Sequence, residues 1–255
     1  MNSIESTLQQ FHPVSLPELE KVALLDRMDT KYVFTRQELP LYLEKLKDDY
    51  SILEIDGLRM FRYESLYFDT VDFSLYNHHY CGRLNRYKVR FRKYVESDLS
   101  YFEIKFKNSK GRTIKSRILH KPEEVIEGKT EDLLHANSPI KAEGLQAKMW
   151  VNYKRITLVS NDFKERLTLD LDLSFIHEDN TRSFDELIIA EVKQSKCGHS
   201  VFSRLMKQKH VRKGSISKYC YGVASLFSNI RKNNFKPQIQ YLNRILYASP
   251  AGPQH

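Results

Sequence analysis

The stretch RYKVRFRKY, residues 86–94, decides the fold of this 255-residue chain. Side chains alternate between the two faces of a β-strand, and here the alternation separates charged side chains from apolar ones. The two sets are Arg86, Lys88, Arg90 and Arg92 on one face and Tyr87, Val89 and Phe91 on the other. The stretch therefore predicts a strand with one cationic face and one apolar face.

The segments on both sides of residues 86–94 show the same alternation. They are short, rich in aromatic and β-branched residues, and separated by turn-like sequences such as ESDLS at 96–100. Their polar sets are Arg27, Asp29 and Lys31; Glu103, Lys105 and Lys107; Tyr153, Arg155 and Thr157; Arg166, Thr168, Asp170 and Asp172; and Glu191 and Lys193. The cationic face is thus predicted to continue across several strands.

Helix-like spacing of leucine and charge precedes these strands at residues 15–26 and 36–47, and returns at about 200–230. We therefore predict an α+β fold, in which a closed antiparallel eight-stranded β-barrel, or a strongly curved sheet, has helices at its N- and C-terminal ends. Residues 1–230 are expected to form one domain. Residues 231–255 are expected to form a tail that is partly helical or disordered.

The cationic face has two readings. For a single strand, solvation of one sheet face is the simpler one. However, the polar sets are strongly cationic, and their acids recur as Glu-x-Lys at Glu103–Lys105 and Glu191–Lys193. Like charges on one face repel unless an anion neutralises them, and carboxylates suit a hard divalent cation that bridges to phosphate. This pattern favours an enclosed site for a polyphosphate-like anion and a metal.

The roles of two further acidic pairs have alternative interpretations. Asp69 and Asp72 could form a metal loop, but a turn that follows a strand more often uses Asp for hydrogen bonds to the backbone. Asp170 and Asp172 could join a metal site or balance Arg166, and balance is the preferred interpretation.

The composition limits the classes of ligand and partner expected for this protein. The net charge of +9 and the pI near 9.3 point to anions. Nucleic acid is not expected, because the basic residues are interleaved with apolar ones on strands and no RNP-like motif occurs. Cys81, Cys197 and Cys220 show no metal-ligand spacing and are expected to be free thiols. Without a signal peptide or a membrane-spanning segment, the chain is expected to be cytoplasmic, and any membrane protein partner to be a separate chain.

At these residues the sequence resembles the VTC domain, the polyphosphate polymerase domain of the vacuolar transporter chaperone complex, in the triphosphate tunnel metalloenzyme (CYTH-like) superfamily. The matching pieces occur in the family's order over nearly the whole chain. They are RMDTKY at 27–32, SLYFDT at 65–70, KVRFR at 88–92, FEIK at 102–105, GRTIKSR at 111–117, YKR at 153–155, AEVK at 190–193 and SISKY at 215–219. Arg27-x-Asp29-x-Lys31 replaces the Glu-x-Glu-x-Lys of many tunnel enzymes, which favours the VTC branch over a two-metal hydrolase.

The resemblance implies a tunnel that binds ATP, polyphosphate or triphosphate together with Mn²⁺ or Mg²⁺. The residues that it implies are catalytic Arg90, Arg92, Arg155 and Lys193; phosphate-binding Lys31, Lys88, Lys105, Lys115, Arg117, Tyr153, Ser217 and Lys218; and metal-binding Glu191 and Glu103. If a phosphate chain attacks the γ-phosphate of ATP, the enzyme is a polyphosphate polymerase, which is the preferred reading. If water attacks, it is a triphosphatase. A non-catalytic binder of polyphosphate or inositol phosphate is the third alternative.

Overall fold

The computed structural model describes residues 3–20, 27–195 and 200–247. Its helices lie mainly before and after the strand-rich centre, as the leucine spacing predicts. They are α1 (Ile4–Leu8), α2 (Leu16–Glu20), α3 (Leu39–Leu46), α4 (Ser74–Tyr80), α5 (Lys129–Asn137), α6 (Val201–Gln208), α7 (Lys218–Leu226) and α8 (Lys236–Tyr247). Pro40 lies in the first turn of α3, where its missing N–H breaks no helical hydrogen bond. Cys197 lies outside the described residues.

The strands belong to one sheet. They are β1 (His12–Val14), β2 (Arg27–Thr35), β3 (Tyr50–Leu53), β4 (Phe61–Asp69), β5 (Arg86–Tyr94), β6 (Leu99–Lys107), β7 (Thr113–Leu119), β8 (Gln146–Ser160), β9 (Glu165–His177), β10 (Asn180–Phe184), β11 (Leu187–Ser195) and β12 (Lys213–Gly214). The hydrogen-bonded order is β12-β2-β11-β9-β8-β4-β5-β6-β7, and these pairs are antiparallel. The prediction of an α+β fold with a large antiparallel sheet is confirmed.

The sheet curls strongly. Lys31 on β2 and Lys88 on β5 are separated by five steps in the strand order, or roughly 24 Å in a flat sheet. Nevertheless, Lys31 Nζ donates to the carbonyl oxygen of Ile216 at 2.9 Å, and Lys88 Nζ donates to the hydroxyl of the adjacent Ser217 at 2.8 Å. Both strands can reach neighbouring residues only if the sheet bends around them. The face that carries Lys31 and Lys88 is therefore concave.

The apolar face is convex and is covered by helices. Tyr32 and Phe34 of β2 pack with Phe202 of α6, and Phe34 also packs on Tyr42 of α3. At the other end of the sheet, the apolar residues of β4, β5 and β6 pack with α5 through the fully buried Leu134. Burial of one such side chain contributes about 2 kcal/mol. This packing leaves the cationic set no other place than the concave face.

The predicted closed barrel is confirmed only in part. Eight long strands, β2 to β7 in the order above, form the curled wall, but β7 and β12 stand at the ends of the hydrogen-bonded path, and the described residues show no pairing between them. Within residues 231–255, α8 packs on the sheet: Leu242 is buried, and the Tyr241 hydroxyl donates to the carbonyl oxygen of Val33 at 3.4 Å.

Candidate anion-binding site

The concave face brings together side chains that are far apart in the sequence. Strands β2, β5, β6, β7, β8 and β11 and the start of α7 each present at least one predicted site residue to this face. They are Lys31; Lys88, Arg90 and Arg92; Glu103 and Lys105; Lys115 and Arg117; Tyr153 and Arg155; Glu191 and Lys193; and Ser217 and Lys218. The placement of these residues on one face agrees with the alternation read from the sequence.

Arg90 and Glu103 form the most buried ion pair of the site. They face each other across β5 and β6, and Arg90 donates to Glu103 Oε2 from Nε at 2.9 Å and from Nη2 at 2.6 Å. Lys115 on β7 contacts Oε1. Burial would raise the pKa of Glu103, but Arg90, Arg92 and Lys115 outweigh it and hold the pKa below its usual range. Glu103 is therefore an ionised counter-charge with both oxygens engaged.

Asp170 on β9 holds a second cluster. Arg155 donates to both oxygens of this carboxylate, at 2.6 and 2.9 Å, and Lys218 from the start of α7 contacts Oδ2. Burial would raise the pKa of Asp170, yet the two cations lower it to about 2. This contact ties α7 to the concave face. The prediction that Asp170 balances Arg166 was wrong about the partner, since the carboxylate faces Arg155 and Lys218.

Glu191 on β11 lies in a more open position. Its side chain is 20% exposed, and its contact with Lys193 Nζ at 2.9 Å uses Oε2. In the strand register Glu191 stands opposite Lys31. Burial would raise the pKa of Glu191, but Lys31, Lys193 and Arg155 lower it, so the group is an anion. An ionised carboxylate that is partly exposed can bind a metal.

The loop before α7 closes one part of the concave face. Besides accepting from Lys88, the Ser217 hydroxyl accepts from the backbone N–H of Cys220 at 3.3 Å and so caps α7. Burial, with some help from Lys31 and Arg90, lowers the pKa of Lys88. Ser217 therefore links a site lysine to the start of a helix.

Lys105 is a partly buried cation of the site that has like charges as its neighbours. In the described part of the chain it forms no ion pair, and its cross-strand neighbours are Lys88 and Lys115. Repulsion by Arg90, followed by burial, lowers its pKa well below the usual range. An anion bound beside Lys105 would stabilise its charged form. Arg117 lies nearer the exposed edge, over the ring of Tyr101 at 4.5 Å.

A divalent metal fits this site if phosphate and water supply most of its ligands. Among residues 3–20, 27–195 and 200–247, no three His, Cys, Asp or Glu side chains are grouped so that they could hold a metal ion by themselves. Mg²⁺ usually binds through one or two carboxylates and takes its other ligands from phosphate and water. Glu191 fits that role, whereas Glu103 is fully buried and engaged by Arg90 and Lys115. The metal roles of Glu191 and Glu103 stay predictions.

Two other predicted carboxylates are not on this face. Asp172 has a φ of +50° and is the extra residue of a β-bulge opposite Tyr153. The bulge shifts the alternation of β9 by one residue. Asp172 therefore points to the convex side, where it contacts Arg36 and Lys154. The placement of Asp172 beside Asp170 was therefore wrong. Asp69 accepts hydrogen bonds from the backbone N–H groups of Leu75 and Tyr76 at 2.8 Å, which agrees with the turn interpretation.

Sequence reasoning missed three residues of β4 that face the site. Tyr67 accepts from Arg90 Nη1 at 2.7 Å, Ser65 lies 3.4 Å from Arg92 Nε, and Tyr63 stacks on Tyr153. The alternation in residues 61–69 contained this signal, because residues 63, 65 and 67 share one face.

Comparison with known proteins identifies the family of this chain. The VTC domain family matches residues 26–227. The chain belongs to the VTC domain family. This match confirms the resemblance seen in the sequence motifs. A comparison with curated proteins finds no match.

Several solved structures are similar to this VTC domain, and the first of them shares its fold. A Hippeastrum protein described as having a dominant triphosphatase activity has a TM-score of 0.50 and 14% identity, with 79% of this chain and 98% of that chain covered. A Vibrio parahaemolyticus protein has a TM-score of 0.44 and 11% identity, with coverages of 77% and 98%. A Pyrococcus horikoshii protein has a TM-score of 0.45 and 12% identity, with coverages of 78% and 96%.

In the described part of this chain, no helix is both long enough and apolar enough to cross a membrane.

Proposed function

We propose that this VTC domain is a metal-dependent polyphosphate polymerase that transfers the γ-phosphate of ATP to a growing polyphosphate chain. The observation that carries the proposal is the excess of cations over carboxylates on the concave face. Lys105 and Arg92 form no ion pair in the described residues, while the buried acids are already engaged by other cations. A linear polyanion supplies the missing negative charge.

The chemistry needs positioning and charge neutralisation more than a covalent intermediate. Arg90, Arg92 and Arg155 would clamp the reacting phosphates, because a guanidinium can bind two phosphate oxygens at once. Lys105, Lys193 and Lys218 would extend the track for the chain, with Lys31, Lys88, Lys115 and Arg117 along it. Mn²⁺ or Mg²⁺, held by Glu191, would supply further positive charge to the phosphates.

The closed eight-stranded barrel is part of the same proposal. The curled wall between β2 and β7 would surround the phosphate chain as a tunnel. Enclosure strengthens each charge–phosphate contact, because water screens less inside it. It also restricts the approach of water, which favours transfer to a phosphate acceptor over hydrolysis.

Incubation of the purified protein with ATP and Mn²⁺, followed by gel detection of the products, tests the proposal. Long phosphate chains and ADP are expected. Glu191→Gln should lose most of this activity but keep the fold, because glutamine has a similar volume and Glu191 is not fully buried. Orthophosphate as the sole product would overturn the polymerase and support the triphosphatase.

The triphosphatase is the second candidate, and the partial exposure of Glu191 favours it, since water can reach that carboxylate. Binding of triphosphate without turnover in Mn²⁺ or Mg²⁺ would instead support a non-catalytic binder. The three outcomes differ in their products, so one set of reactions separates them.

A further inference from the structure

Two stacked tyrosines lie among the cations of the concave face. The rings of Tyr63 on β4 and Tyr153 on β8 are nearly parallel, with an interplanar angle of 6° and centroids 5.2 Å apart. Tyr94 packs edge-on against Tyr63, with a centroid distance of 5.0 Å. Burial raises the pKa of Tyr63 to about 12, although Arg155 opposes the shift, so the ring is neutral.

Three cations surround this stack. The guanidinium carbons of Arg92 and Arg155 lie 5.6 and 5.0 Å from the centroid of Tyr63. Arg155 also lies 5.2 Å from the centroid of Tyr153, and Lys218 Nζ lies 4.7 Å from it. Tyr63 is therefore the ring that both arginines share.

The two arginines differ in their other partners. Arg155 is fixed by its two hydrogen bonds to Asp170. Within the described residues Arg92 forms no ion pair, and its side-chain partners are the hydroxyls of Tyr153 at 3.1 Å and Ser65 at 3.4 Å. The negative face of an aromatic ring attracts a cation by roughly 0.5–2 kcal/mol, depending on desolvation. The ring of Tyr63 thus attracts Arg92 and holds it near Arg155, which Asp170 fixes.

We propose that Tyr63 is a positioning residue that sets the spacing of Arg92 and Arg155, and that this spacing makes the site prefer a linear chain of three phosphates over a single phosphate. Two guanidinium groups at a fixed separation can bind different phosphates of one chain. With orthophosphate, both guanidinium groups must share the oxygens of a single phosphate. The inference rests on the proposed function in that the bound anion is a phosphate chain.

The first test compares phosphate binding by variants at Tyr63. Calorimetric titration with triphosphate and with orthophosphate gives the preference for the longer anion. Tyr63→Leu removes the ring and should lower this preference about tenfold. Tyr63→Phe keeps the ring and should retain the preference. Tyr94→Leu is the matched control, because Tyr94 packs on Tyr63 but lies over no cation in the described structure.

The second test needs no ligand and therefore separates this inference from the proposed function. In the NMR spectrum of the free protein, the Nε–Hε group of Arg92 should become more mobile in Tyr63→Leu but not in Tyr63→Phe. Arg155 should change less, since Asp170 holds it. If the wild-type protein does not bind triphosphate, the proposed function fails, and this measurement alone judges the positioning role.

Three results would overturn the inference. One is an unchanged preference and unchanged Arg92 mobility in Tyr63→Leu. Another is an equal loss in Tyr63→Phe, which would point to the hydroxyl. The third is an equal loss in Tyr94→Leu, which would point to general packing. Should Tyr63→Leu not fold, Tyr63→Met, which is closer in length and also removes the ring, is read by the same criteria.

Discussion

Three carboxylates of the concave face are kept ionised by the cations around them. Burial alone would raise the pKa of Glu103, Asp170 and Glu191, but neighbouring arginines and lysines reverse the direction in all three. Acids at these positions reduce the repulsion between cations and fix their side chains. They leave Lys105 and Arg92 for the ligand.

Glu103→Gln is expected to destabilise the fold by about 3 kcal/mol, because breaking a buried ion pair leaves Arg90 as an uncompensated buried charge. Chemical denaturation measures this change. Glu96→Gln is the control: Glu96 pairs with Arg62, whose side chain is 61% exposed, so its loss should cost less than about 1 kcal/mol. Equal effects of the two substitutions would contradict this prediction.

Arg92 and Lys93 are sequence neighbours on opposite faces of β5. Arg92→Ala should weaken triphosphate binding at least about tenfold, since a hydrogen bond to a charged group contributes roughly 1.5–3 kcal/mol. Lys93 contacts Asp98 away from the site, so Lys93→Ala should leave binding nearly unchanged. Titration of both variants at one salt concentration checks this. A greater loss in Lys93→Ala would place the ligand on the other face.

At the level of elements, Asp69 joins β4 to two helices. Its carboxylate accepts from the backbone N–H groups of Thr70, Leu75 and Tyr76 and from the Tyr219 hydroxyl of α7. Asp69→Ala should destabilise the protein by about 3 kcal/mol, because several buried donors lose their acceptor.

Hydrogen exchange should show faster opening of α4 and α7 in Asp69→Ala than in the wild-type protein. Asp72→Ala, at an exposed position of the same loop, should change the free energy of unfolding by less than about 0.5 kcal/mol. Unaltered exchange in both helices would show that Asp69 does not hold them.

Helix α4 also brings His79 close to β5. Burial, together with Lys88 and Arg86, lowers the pKa of His79 from 6.5 to about 3. The unfolded chain therefore takes up a proton between these pH values while the folded chain does not. The contribution of His79 to stability is complete above pH 6.5 and declines as the pH falls, by at most about 1.4 kcal/mol per pH unit.

Denaturation of the wild-type protein and of His79→Gln at pH 7 and pH 5 measures this slope. The wild-type protein should lose more stability than the variant between the two values. His12→Gln, at an exposed position, should behave like the wild-type protein. The same pH dependence in His79→Gln would assign the slope to other groups.

At the scale of the whole molecule, the curled sheet separates two kinds of surface. Its convex face is apolar and covered by α1, α3, α5 and α6. Its concave face carries the site cations in one part and packs against α7 and α8 in another. In the free protein the site cations therefore repel one another, as Arg90 and Lys105 do. A bound polyanion should relieve it.

Triphosphate should raise the Tm of the wild-type protein, since a ligand at 100 times its Kd stabilises the fold by about 2.7 kcal/mol. Thermal unfolding with and without triphosphate measures this. Arg92→Ala should show a smaller increase, whereas Lys93→Ala should match the wild-type protein. An equal increase in Arg92→Ala would mean that triphosphate binds elsewhere.

The sequence by itself determined the face on which most of these residues lie. Side chains alternate with a period of two whatever the distant partners are, so the assignment of Arg90, Arg155 and Glu191 to one face needed only local information. The alternation failed at Asp172, where a positive φ and a β-bulge inserted one residue.

Only the tertiary structure decided which charges meet. Asp170 is 48 residues from Lys218, and Lys31 is 185 residues from Ile216, so no local spacing could report these contacts. The curl of the sheet, the position of α7 and the sharing of Tyr63 by Arg92 and Arg155 arise from packing between distant segments. That packing involves the apolar convex face with its helices and, for α7, the apolar part of the concave face. It turns a charged strand face into a site.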